Sequence, residues 1–232
     1  MRATGLGVAI GLLALTITRV IGQAPDGRDR DHDYDAPKPG SYALPVIKRA
    51  SGGALIETNG KSIDLAELTR DRITLLSFIY TRCAAGRACP YASNTLGQLQ
   101  QISADEPDLA RQMRLVSVSF DPGYDTPQRM SEYADAMSET KKGCEWRFAT
   151  LKADNLNTVL NAYGQAVDSR PNASDPQGPL SHVLRVFLID AQGQVRNIYS
   201  SATLDPRLVM ADVKTLLLEQ EKKAAGVNHS GY

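Results

Sequence analysis

The run Ile73 to Tyr80, ITLLSFIY, constrains the fold more than any other part of the chain. It is almost continuously apolar or aromatic and lacks the alternation of a half-solvated strand, so it reads as a strand buried on both faces, as the central strands of parallel sheets are. A sheet of that kind needs helices on both faces. Thr81-Arg82-Cys83 follows the strand, five residues (AAGRA) come next, and Cys89-Pro90 opens a helix, where the fixed φ and missing N–H of proline suit the first turn.

The surrounding pattern fits this frame. Ala54 to Glu57 and Ser62 to Ile63 flank Asn59-Gly60, a hairpin signal. After the cysteine helix come a strand at Arg114 to Phe120, a helix at Thr126 to Met137, a strand at Cys144 to Thr150 and a helix at Asp154 to Tyr163. Strands Val183 to Asp190 and Val195 to Ser200 pair across Gln192-Gly193, and a helix from about Asp205 closes the domain. This order predicts a three-layer α/β domain of thioredoxin type with an N-terminal β-hairpin, spanning residues 46–223 and carrying its chemistry at the carboxyl ends of the strands.

The N-terminus differs. Ala3 to Thr18 is uncharged and mostly apolar between Arg2 and Arg19, shorter than the roughly 20 residues a spanning helix needs, so residues 1–24 read as a signal peptide or an N-terminal anchor. Residues 25–45, charged and rich in Pro and Gly, read as a disordered tether, with His32 in its solvated charge run, and residues 224–232 read as a tail. The expectation is an exported, periplasmic protein, soluble or tethered to the membrane through its N-terminus. Lys and Arg number 26 against 26 Asp and Glu, and no basic stripe is interleaved with aromatics, which excludes a nucleic-acid partner.

Three cysteines in an exported chain allow one disulfide and one spare thiol. Cys144 lies on the apolar face of the alternation Cys144, Trp146, Phe148 and reads as a core residue. Cys83 and Cys89 sit between a strand end and a helix start, where the helix N-terminus and Arg87 are expected to lower a thiol pKa. A disulfide closing so short a loop contributes little stability, which favours redox or metal chemistry over a structural staple. His182, the lone histidine of the domain, opens the strand HVLRVFLID after a long polar loop. It reads either as an ordinary hydrogen-bonding residue or, because its strand is expected beside the one ending at Tyr80, as a neighbour of the cysteine loop. Two thiolates and an imidazole together suit copper, with Cu(I) favoured by the sulfurs.

Several segments resemble one family. SFIYTRC, Cys89-Pro90, VSFDPGYDTP at Val118 to Pro127 with EYA following, Trp146 ahead of Ala149-Thr150, NAYG at Asn161 to Gly164 and HVLRVFLIDAQGQV from His182 are similar to the Sco/SenC copper chaperones of cytochrome c oxidase assembly. The resemblance implies a thioredoxin-like fold and a copper ion held by Cys83, Cys89 and His182. It implies, as partner, a respiratory oxidase subunit that receives copper or has its copper-site cysteines reduced. The chain departs from the family pattern in its cysteine loop, which has five intervening residues instead of three and no proline after the first cysteine. The other reading is an exported thiol-disulfide oxidoreductase acting on another exported thiol protein, with Cys83 and Cys89 as its catalytic pair and no metal. Asp121 and Asp125 read mainly as turn and helix-cap residues.

Overall fold

The computed structural model describes residues 34–84, 86, 88–137, 142–172 and 174–228. The signal or anchor segment, His32, Arg87 and residues 229–232 of the tail lie outside the described residues. Contacts divide the chain into residues 1–35 and a compact unit, Ala36–Tyr232.

Among the described residues ten strands, β1 (Lys48–Arg49), β2 (Ala54–Glu57), β3 (Ser62–Asp64), β4 (Ile73–Ile79), β5 (Met113–Ser119), β6 (Glu145–Leu151), β7 (Val167–Ser169), β8 (Leu180–His182), β9 (Val186–Ile189) and β10 (Gln194–Tyr199), form two sheets. All seven residues of β4 are buried, as the unbroken apolar run requires. It lies fourth in the eight-stranded sheet β1-β10-β9-β4-β5-β6-β2-β3. β5 runs parallel beside it, Ile73 opposite Met113, and β6 parallel beside β5. β9 closes its other side antiparallel, Ser77 opposite Val186. The hairpin β2–β3 turns at Gly60, whose φ of +80° suits glycine, and joins the sheet through β6.

Among the described residues α-helices complete the layers: α1 (Leu65–Leu68), α2 (Cys89–Ala104), α3 (Pro107–Gln112), α4 (Pro127–Met137), α5 (Leu156–Ala162) and α6 (Pro206–Asn228). One apolar cluster joins Ile73, Leu75, Met113 and Leu115 to Leu96 and Leu99 of α2 and Val209 and Val213 of α6. A second joins Leu76, Phe78, Val116 and Val118 to Met130 of α4 and Val159 of α5, and contains Cys83 and Cys89. Each fully buried Leu, Ile or Phe contributes about 1.5–3 kcal/mol relative to exposure, so the sheet is anchored from both faces.

The observed elements correct three expectations. His182 does not open the strand paired with β4; it ends β8, which pairs with β7 in a separate two-stranded sheet, and the long strand begins only at Val186. Residues 25–45 are not wholly a disordered tether. Gly40 N–H donates to Thr215, Tyr42 donates to Asp212 at 2.5 Å, and the buried Leu44 accepts from the Arg196 guanidinium, so this stretch is bonded to α6 and β10. The domain therefore begins about ten residues before position 46. At the other end α6 runs through Asn228, past the boundary expected at 223.

Candidate metal centre

The carboxyl end of β4 delivers the first thiol. Beyond Ile79 the chain turns through Tyr80, Thr81 and Arg82, and Cys83 N–H donates back to the Tyr80 carbonyl at 3.2 Å. The turn is held by Asp125, which is fully buried. Its carboxylate accepts from Thr81 N–H at 2.9 Å, from the Thr81 hydroxyl, and from the Ser119 hydroxyl at 2.5 Å. Arg82 pairs with Asp121 at 2.6 Å and stacks its guanidinium 4.0 Å over the Tyr124 ring. The segment DPGYDTP thus ties the end of β5 to the start of the cysteine loop, in addition to leading into α4.

Cys89 is the first residue of α2 and is 1% exposed. His182 arrives from β8, its ring 4.8 Å from Phe120 and 6.1 Å from Tyr80, with Nε2 3.2 Å from Cys89 Sγ. One ligand atom each from Cys83, Cys89 and His182 lie within 4.8 Å of one another. None of the three cysteines is in a disulfide. The structure thus brings together the three residues singled out in the sequence, while Cys144 stands apart in the α2–α6 cluster, buried, its N–H donating to Ser103.

The electrostatics of Cys89 differ from the expectation. Its thiol is pushed well above the ordinary value, first by burial and then by the neighbouring Cys83, while backbone hydrogen bonds at Tyr80 and Cys89 act in the opposite sense and lose. Loss of hydration for a sulfur this deeply buried outweighs the helix N-terminus. Burial and the adjacent cysteines also raise the Tyr80 phenol to about 12, and burial, chiefly, raises that of Tyr133 to about 12. The metal-free centre therefore holds Cys89 as a neutral thiol among neutral phenols. Two sulfurs and an imidazole nitrogen in an apolar enclosure fit a soft, low-coordinate cation such as Cu(I).

The family model for SCO1/SenC matches residues 53–218, which take in every element from β2 to the first half of α6. The chain belongs to the SCO1/SenC family. Copper-bound ScoI of Arabidopsis thaliana superposes with a TM-score of 0.61 at 18% identity over 73% of this chain and 98% of that one. A SCO1/SenC family lipoprotein of Bacillus anthracis gives 0.61 at 22% identity over 79% and 99%. BsSco, a member of the Sco family of cytochrome c oxidase assembly proteins in which a disulfide switch was identified, gives 0.57 at 19% identity over 74% and 96%. Among curated protein sequences none matches significantly. These likenesses establish the thioredoxin-like α/β fold.

Sequence reasoning missed the supports of the centre. The Tyr80 hydroxyl donates to the Leu180 carbonyl at 2.7 Å, and Ala84 N–H to the Gln177 carbonyl at 3.3 Å, so the Pro-rich loop before β8 lies directly on the cysteine loop. Gly178 makes this approach possible. At its φ of +98° an added Cβ would lie 2.5 Å from the Tyr80 hydroxyl and 2.6 Å from the Arg82 carbonyl. Pro171, Pro176, Pro179 and Gly178 are the signal the sequence offers, but their partners are set by tertiary structure.

Proposed function

We propose that this member of the SCO1/SenC family is a copper metallochaperone. Copper is its cargo, held by Cys83, Cys89 and His182, and a respiratory oxidase subunit is its recipient. The observation that carries this reading is the convergence of two reduced thiols and an imidazole within 4.8 Å at the carboxyl end of β4. Copper bound to the Arabidopsis thaliana relative supports the choice of metal. The sulfurs of Cys83 and Cys89 lie within 4.8 Å of each other, which supports the reading although five residues stand between them instead of three. Burial of Cys89 keeps its proton until the metal displaces it, which protects the thiol from adventitious oxidation.

A second chemistry follows from the same pair. One thiolate attacks a recipient disulfide, releasing one recipient thiolate and forming a mixed disulfide. The other then displaces the second recipient sulfur, leaving a Cys83–Cys89 disulfide and a fully reduced recipient. The disulfide switch of BsSco favours keeping this step within the same function, as preparation of copper-site cysteines. Residues 1–24 export the domain to the periplasm or hold it at the membrane, a reading supported by the lipoprotein nature of the Bacillus anthracis relative.

Copper titration of reduced protein tests the proposal. Wild type should bind about one Cu(I) per chain, Cys83→Ser and Cys89→Ser should each abolish binding, and His182→Ala should weaken Cu(II) more than Cu(I), because thiolates alone still suit the softer ion. Brisk disulfide reduction by a wild type that binds no stoichiometric copper would instead support the metal-free oxidoreductase.

A further inference from the structure

His182 presents Nε2 toward Cys89, and its other ring nitrogen, Nδ1, is buried with no hydrogen-bond partner. A buried polar atom left unpaired costs about 1–3 kcal/mol, so each one calls for an explanation. A second such group lies nearby. Gln165 is 3% exposed, and both its side-chain oxygen and nitrogen are buried without a partner. Its backbone N–H is used by the Leu160 carbonyl at the end of α5, which fixes the position of the residue but leaves the amide free.

The strand register relates the two. Val167 of β7 is opposite His182 of β8. Gln165 is two residues before Val167, and the burial sequence of buried Gln165, exposed Ala166 and half-buried Val167 keeps Gln165 on the inward side with Val167. Val167 packs against the cluster that contains Tyr80 and Phe120, the two rings that flank His182. Gln165 lies just before β7, and continuing the ladder by two positions would set it about 7–8 Å from His182 between Cα atoms, within reach of a long side chain. A glutamine amide is chemically suited to be the acceptor that an imidazole N–H needs, and a gap too long for a direct bond is of the kind one buried water bridges.

We propose that Gln165 is the positioning residue of His182, accepting the Nδ1 proton through its side-chain oxygen, directly or through one buried water. This fixes the tautomer in which Nε2 offers its lone pair to the thiol side. The proposal deepens the copper reading and rests on it for its consequence, since the partner on the far ring nitrogen of a ligating histidine orients the ring. The geometric claim itself stands on the metal-free protein.

Nitrogen NMR of reduced, copper-free protein labelled at histidine and glutamine tests it. Wild type should show His182 in one tautomer with the proton on Nδ1, a slowly exchanging Nδ1 proton, and cross-relaxation to the Gln165 side chain or to a shared bound water. Gln165→Met keeps the shape but leaves the buried Nδ1–H of His182 without its acceptor, so the variant should fold with a lowered thermal midpoint. The same variant should mix the tautomers, speed Nδ1 proton exchange at least tenfold and weaken copper binding about 10–100-fold. A proton on Nε2 in wild type, no magnetisation transfer between Gln165 and the His182 site, or a Gln165→Met spectrum with unchanged His182 signals would each overturn the proposal. Should wild type bind no copper while the NMR outcome holds, the copper reading fails and the positioning role survives.

Discussion

Cys89 shows why a residue's chemistry depends on depth as well as on address. Its position after a strand and at a helix start was readable from SFIYTRC and Cys89-Pro90, and so was its pairing with Cys83. The direction of its pKa was not, because burial depends on neighbours distant in sequence such as Tyr133 and His182. The consequence is a pH dependence with a definite sign. Since the Cys89 thiol is raised by burial, metal must displace its proton throughout the neutral range, and apparent copper affinity should rise by at least about tenfold per pH unit between pH 6 and 8. Competition titrations against a chelator of known proton linkage check this. An affinity independent of pH would mean that the thiolate is already formed and that the helix N-terminus prevails over burial.

The long elements were legible because each carries a periodic or continuous apolar signal. β4, β5, β6, α2 and α4 all lie within a residue or two of the stretches expected for them. What escaped was short. β7 and β8 have three residues each, too few to show a period, and they arise from a polar loop whose only cues are proline and glycine. That small sheet nonetheless determines where His182 goes, since β8 ends on it. The site was thus legible as three residues and illegible as a scaffold. Gly178 tests the scaffold, because its backbone angle and its closeness to Tyr80 and Arg82 both exclude a side chain. Gly178→Ala should cost about 1–3 kcal/mol in strain, seen as a lowered thermal midpoint. It should also weaken copper binding through a displaced β8. An unchanged midpoint and an unchanged affinity would show that the loop does not position the histidine.

Among the described residues, which begin at position 34, no helix is long and apolar enough to cross a membrane. The stretch that follows position 34 is built into the domain instead of hanging from it. The buried Asp212 carboxylate accepts from Tyr42 at 2.5 Å, Tyr199 at 2.6 Å and Asn197 at 2.8 Å, which joins the N-terminal strap, β10 and α6. Tyr42→Phe removes one charge-assisted bond and should destabilise the domain by about 1.5–3 kcal/mol in urea unfolding, with copper stoichiometry unchanged. A variant as stable as wild type would place the strap outside the cooperative unit. The central claim concerns the metal centre, where two sulfurs and one nitrogen meet. X-ray absorption on the reduced protein loaded with one Cu(I) reads that donor set directly. The account predicts two sulfur scatterers and one imidazole nitrogen, with the nitrogen lost in His182→Ala and one sulfur lost in either cysteine-to-serine variant that retains any metal. A spectrum of oxygen and nitrogen donors only, unchanged by substitution of Cys83 or Cys89, would contradict it.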